Sequence, residues 1–141
     1  MTQLTRQELM HCLVVEHEIR SVADFAEQIV AEALDGQRRS NGVLQGYDLL
    51  APAYGRVEVK FRQLPNDGRF EERVALSDAK EGEFDYLAIV IFQADFSIKG
   101  AVLLPFHEAW SFVESSPYNR ISYAQACLCQ GAIDITEQVT A

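Results

Sequence analysis

Apolar positions recur first at helical spacing and then, past residue 42, at strand spacing. Thr5-Arg6-Gln7-Glu8 has the spacing of a capping box, and Leu9, Cys12, Leu13 and Val15 continue an apolar face. Ser21-Val22-Ala23-Asp24 is a variant start signal, after which Val22, Phe25, Ala26, Ile29, Val30, Ala33 and Leu34 recur until Asp35-Gly36 ends the segment. The spacing predicts two helices, or one longer helix, since nothing between Ile19 and Ser21 forces a break. After the polar stretch Gln37 to Gly42, with its Asn41-Gly42 turn signal, Val43 to Ala51 and Arg56 to Leu64 read as strands. Pro52-Ala53-Tyr54-Gly55 joins them as a hairpin connection, and Pro65-Asn66-Asp67-Gly68 closes the second.

Arg69 to Leu76 fits neither period and reads as strand or loop. Tyr86 to Phe92 and Ile98 to Leu104 are nearly continuous apolar runs, the pattern of strands buried on both faces. Pro105 then suits the first turn of a helix whose Phe106, Ala109, Trp110 and Val113 pack on the sheet. Ser122 caps a last short helix through Cys127, with Gly131 ending it. The expected architecture is α/β (α+β): one domain over residues 1–141, a mixed β-sheet flanked by helices. The longest apolar run falls short of the roughly 20 residues that cross a bilayer. Residues 1–6 lack a basic leader before an apolar stretch, and Cys12, Cys127 and Cys129 make an odd set, so a reducing cytoplasm and no membrane are expected.

Charge complicates the choice of partner. Twelve Lys and Arg stand against 21 Asp and Glu, a net charge of −9, which as a whole repels a phosphate backbone. The distribution is uneven: residues 1–37 carry two basic and seven acidic groups and residues 74–141 three and nine, but residues 38–73 carry seven and five. A polyanion contact is therefore expected in the middle, and protein partners on the acidic flanks.

The chemistry lies in the same middle. Val57-Glu58-Val59-Lys60-Phe61 alternates strictly, so Glu58 and Lys60 share the face opposite three apolar residues. A hairpin turn centred on Ala53 puts Asp48 across from Glu58, where Cβ atoms stand about 4.5–5.5 Å apart and two carboxylates repel unless a cation lies between them. Hard oxygen ligands at that spacing suit Mg²⁺ (or Mn²⁺), and a neighbouring lysine can orient a water or stabilise a phosphorane-like transition state.

Gly46-Tyr47-Asp48-Leu49, followed ten residues after the aspartate by Val57-Glu58-Val59-Lys60, resembles the signature of the PD-(D/E)xK (restriction-endonuclease-like) nuclease superfamily, which includes archaeal-type Holliday junction resolvases. Tyr47 stands where the signature has proline, a substitution that superfamily tolerates. Family members often carry a glutamate on a helix ahead of the hairpin, matched here by Glu27 in Phe25-Ala26-Glu27-Gln28-Ile29-Val30. The resemblance continues through Phe84-Asp85-Tyr86-Leu87-Ala88-Ile89-Val90 and covers about residues 21–104. It implies a metal-dependent endonuclease hydrolysing DNA phosphodiesters, with Asp48 and Glu58 holding Mg²⁺, Glu27 supporting the metal shell, Lys60 assisting the water, and protomers paired as a homodimer. Arg62, Arg38 and Arg39 are candidate phosphate contacts.

Other readings of the same residues stay open. The alternative is a non-catalytic member of this fold acting in assembly or nucleic-acid association, and Glu58, Lys60 and Asp48 can also be an ordinary solvated strand face. His11, His17 and His107 are not spaced as a metal set, and Cys127-x-Cys129 lacks the second pair that a zinc site needs. Asp78, Glu81, Glu83 and Asp85 read as a solvated loop.

Overall fold

The computed structural model describes residues 4–17, 19–38, 47–66, 72–76, 83–115 and 119–140. Helix α1 (Arg6–His11) opens on the predicted capping box, with Glu8 N–H donating to the Thr5 hydroxyl at 3.1 Å and Thr5 N–H to the Glu8 carboxylate at 2.8 Å. It runs on into a π-helical turn, Cys12–Glu16, in which His17 N–H donates to the carbonyl of Cys12 at 3.1 Å. Helix α2 (Val22–Ala33) starts afresh at Ser21, whose extended backbone breaks the chain into two helical segments and whose hydroxyl accepts from Asp24 N–H. Its end lies at Asp35-Gly36: Asp35 takes the left-handed region at φ 53°, and Gly36 N–H reaches back to the Ala31 carbonyl at 2.7 Å. A Cβ at residue 36 would stand 2.7 Å from the Leu50 carbonyl oxygen, so glycine lets the next strands lie close under the helix.

The remaining elements are β1 (Gln37–Arg38), β2 (Leu49–Ala51), β3 (Gly55–Gln63), β4 (Arg73–Ala75), β5 (Tyr86–Phe92), β6 (Ile98–Pro105), α3 (Phe106–Ser115), β7 (Arg120–Ser122), α4 (Tyr123–Leu128), β8 (Ile133–Asp134) and α5 (Thr136–Thr140). Among the described residues, six strands form a mixed sheet in the order β1-β2-β3-β5-β6-β8. β3 and β5 run parallel and the other neighbours antiparallel. β4 and β7 pair separately. The polar stretch after α2 therefore opens with a short strand, and Arg73–Ala75 resolves as strand. The described part of the first hairpin strand is Leu49–Ala51; residues 43–46 lie outside the described residues. Pro105 closes β6, one residue before α3 begins.

Alternation divides the core into two layers. Leu49, Ala51, Val57, Val59, Ala88, Val90, Phe92 and Leu103 face Ala26 and Val30 of α2, Leu34 just past its end, and Val139 of α5. Leu87, Ile89, Ile91, Val102 and Leu104 face the other way, onto Ala109 and Val113 of α3, Ala126 of α4, Val74 of β4 and Ile121 of β7. The central pair β5–β6 is covered on both sides, which is why its sequence is apolar without alternation. Among the described residues, no helix is long and apolar enough to cross a membrane.

Candidate functional site

The hairpin sets the site. β2 pairs with β3 as Leu49↔Val57, Leu50↔Arg56 and Ala51↔Gly55, the register of a turn centred on Ala53. Asp48, one residue before Leu49, therefore stands beside Glu58, and its own N–H donates to the Val57 carbonyl at 2.9 Å. The Asp48 carboxylate does a strand's work: Oδ2 accepts the Val59 N–H at 2.7 Å, filling the place where β2 has not yet begun.

Val57, Val59 and Phe61 face α2, as their alternation predicts. Glu58, Lys60 and Arg62 consequently share the opposite side of β3, next to Leu87, Ile89 and Ile91 of β5. Exposure along this row is graded. Glu58 is 2% exposed and its Oε2 has no contact with solvent, Lys60 is half-buried and Arg62 is exposed. The polar face is thus not an open cleft at Glu58, as alternation alone suggests; Tyr47 and the β4 layer pack on that side of the sheet.

Glu27 arrives from α2, on the other side of the sheet, with 22% of its side chain exposed. Burial raises its pKa; the Arg38 guanidinium pulls the value back down, and the charges of Asp24 and Glu58 push it up again. Glu27 and Glu58 are therefore close enough to feel each other's charge. Arg38, on β1, is turned toward α2. Its guanidinium lies 3.3 Å from Asp24 Oδ1 and 3.8 Å from Glu27 Oε1, and it donates to Gln28 Oε1 and the His17 carbonyl, each at 3.3 Å. This internal tie occupies a side chain that the sequence groups with the candidate phosphate contacts. Arg39 lies outside the described residues.

Asp48, Glu58 and Lys60 are thus gathered by one hairpin and Arg62 extends the row outward, whereas Glu27 stands on the α2 side of the sheet. Asp48 and Glu58 offer hard oxygen donors, the kind that could hold Mg²⁺ or Mn²⁺, and one Asp48 oxygen accepts from Val59. The Arg38 cluster was missed from sequence, although Asp24, Glu27 and Gln28 recur at three- and four-residue spacing on one face of α2, the pattern that presents several acceptors to one cation. Comparison of the chain with protein-family models and with curated proteins gives no match.

Proposed function

We propose that this chain is a metal-dependent endonuclease of the PD-(D/E)xK kind that hydrolyses DNA phosphodiesters. The observation that carries the reading is the hairpin register, which stands Asp48 beside Glu58 with Lys60 two residues further along the same face. The charges of Glu27 and Glu58 act on each other, and neighbouring carboxylates repel unless a cation relieves them, which supports the reading.

In this reading Asp48 and Glu58 hold Mg²⁺ or Mn²⁺, which when bound supplies Lewis acidity and an acidified water, and Glu27 supports the metal shell from the α2 side. Lys60 orients the attacking water through its ammonium group and stabilises negative charge developing on the phosphoryl oxygens. Its half-buried position strengthens that interaction compared with bulk water. Arg62 meets a flanking phosphate, and Arg38 acts through Glu27 by fixing the helix carboxylate in place. A homodimer supplies a second copy of the site for cutting both strands of a duplex or junction.

A second reading is favoured by the closure of Glu58. A carboxylate 2% exposed, next to an aspartate already bonded to the backbone, also suits a non-catalytic subunit of the same fold that works through protein assembly. Incubation of the wild type with single-stranded, duplex and branched DNA in Mg²⁺ or Mn²⁺ separates the two. The nuclease reading expects cleavage that Lys60→Ala abolishes while the fold is retained. If wild type neither cuts nor binds any of these substrates, the assembly reading replaces it.

A further inference from the structure

The π-helical turn after α1 holds a second set of metal-binding side chains, which the nuclease reading does not use. The Cys12 Sγ, a Glu16 carboxylate oxygen and an imidazole nitrogen of His17 all lie within 4.8 Å of one another. Cys12 is half-buried, and the other two are exposed.

Backbone geometry explains the juxtaposition. In an α-helix, at about 100° per residue, the side chain five positions on stands about 140° round the axis. Here the His17 N–H bonds to the carbonyl of Cys12, five residues back, which widens the turn and returns residue 17 to the side of residue 12. Glu16, four positions on, falls on the same side. π turns inside helices are uncommon and recur at functional sites. Beside this turn lies an open groove of about 600 Å³ whose wall includes Glu8, His11, Cys12 and Glu16.

We propose that Cys12, Glu16 and His17 form a binding site for a borderline-soft divalent cation of the Zn²⁺ type, leaving a fourth coordination position open toward the groove. Thiolate, imidazole and carboxylate together are a Zn²⁺ ligand set, and the thiolate selects against Mg²⁺ and Ca²⁺. Tetrahedral Zn²⁺ with these ligands sets its donors about 3.4–3.7 Å apart, so a side-chain adjustment of about 1 Å closes the set. Binding forms the metal–sulfur bond as the Cys12 thiol proton leaves to solvent, so affinity rises with pH, as for any thiol ligand. Because only the π register brings residue 17 round, the bound cation also stabilises that register over a regular α-helix.

Titration of the full chain with Co²⁺ under reducing conditions tests this site. A near-ultraviolet thiolate-to-metal charge-transfer band should grow and saturate with one Co²⁺ bound at this site, and Zn²⁺ should displace it. Cys12→Ser should abolish the band, whereas Glu16→Gln and His17→Ala should each weaken binding by at least about tenfold. Cys127→Ser and Asp48→Asn should leave the band unchanged. Circular dichroism checks that each variant remains folded. No band in the wild type, a band that survives Cys12→Ser, or a band lost in Asp48→Asn overturns the proposal. Failure of DNA cleavage leaves it untouched, since a carboxylate site gives no thiolate band.

Discussion

Glu27 is the residue whose titration most directly reports the site. Its pKa is raised from the ordinary 4.5, by burial first and by the charges of Asp24 and Glu58, against the pull of Arg38, so between the unfolded and folded values the folded chain keeps a proton that the unfolded chain has released. Its contribution to stability is complete below about pH 4.5 and is lost as the pH rises through the folded-state value. Glu27→Gln should therefore be more stable than wild type at neutral pH, with the gain shrinking to nothing as the pH falls to about 4.5. Urea midpoints measured across that range check the sign. Gly55 carries a different constraint. Its φ is +81°, and a Cβ there would stand 2.6 Å from Asp85 Oδ2, the oxygen that accepts the Arg56 N–H at 2.9 Å and Nε at 3.2 Å. Asp85, read from sequence as part of a solvated loop, thereby ties the hairpin turn to the start of β5. Gly55→Ala should lose more than about 1 kcal/mol, seen as a lower urea midpoint at unchanged slope.

At the scale of elements, the central pair β5–β6 carries the two-layered core. Leu103→Ala, at a position with no solvent exposure in the core layer that α2 and α5 cover, should cost about 2–5 kcal/mol. These strands were also the most legible in the sequence. β5 ends at the residues that its apolar run predicts, Tyr86 and Phe92, because burial on both faces leaves no polar interruption inside and a polar residue at each end. The hairpin register was legible too, since a short turn leaves few alternatives and the Val57-Val59-Phe61 face selects among them. β1, β7 and β8 were not, because two or three residues are too few to display a period and their pairing depends on distant chain. The π turn was hidden for another reason: Cys12, Glu16 and His17 share a side only in a register that an α-helical reading does not use. In the sequence Arg38 reads as one more cation of a basic segment, because only the packing of β1 against α2 brings Asp24, Glu27 and Gln28 to it.

For the whole molecule, a net charge of −9 and a buried Glu58 set strict terms for a nuclease. The chain must draw DNA through a few central cations, and it must retain its carboxylates close together in the folded state alone. The second requirement gives the most direct measurement, the melting temperature of the apo-protein with and without Mg²⁺. Mg²⁺ is the right probe because a thiolate site at Cys12 does not favour it. At ten times the dissociation constant a single native-state site adds about 1.4 kcal/mol, which for a chain of this size is a rise of about 3–6 °C. Wild type should show that rise, and Asp48→Asn and Glu58→Gln should not. A wild-type melting temperature unchanged in millimolar Mg²⁺ and Mn²⁺ would contradict the account.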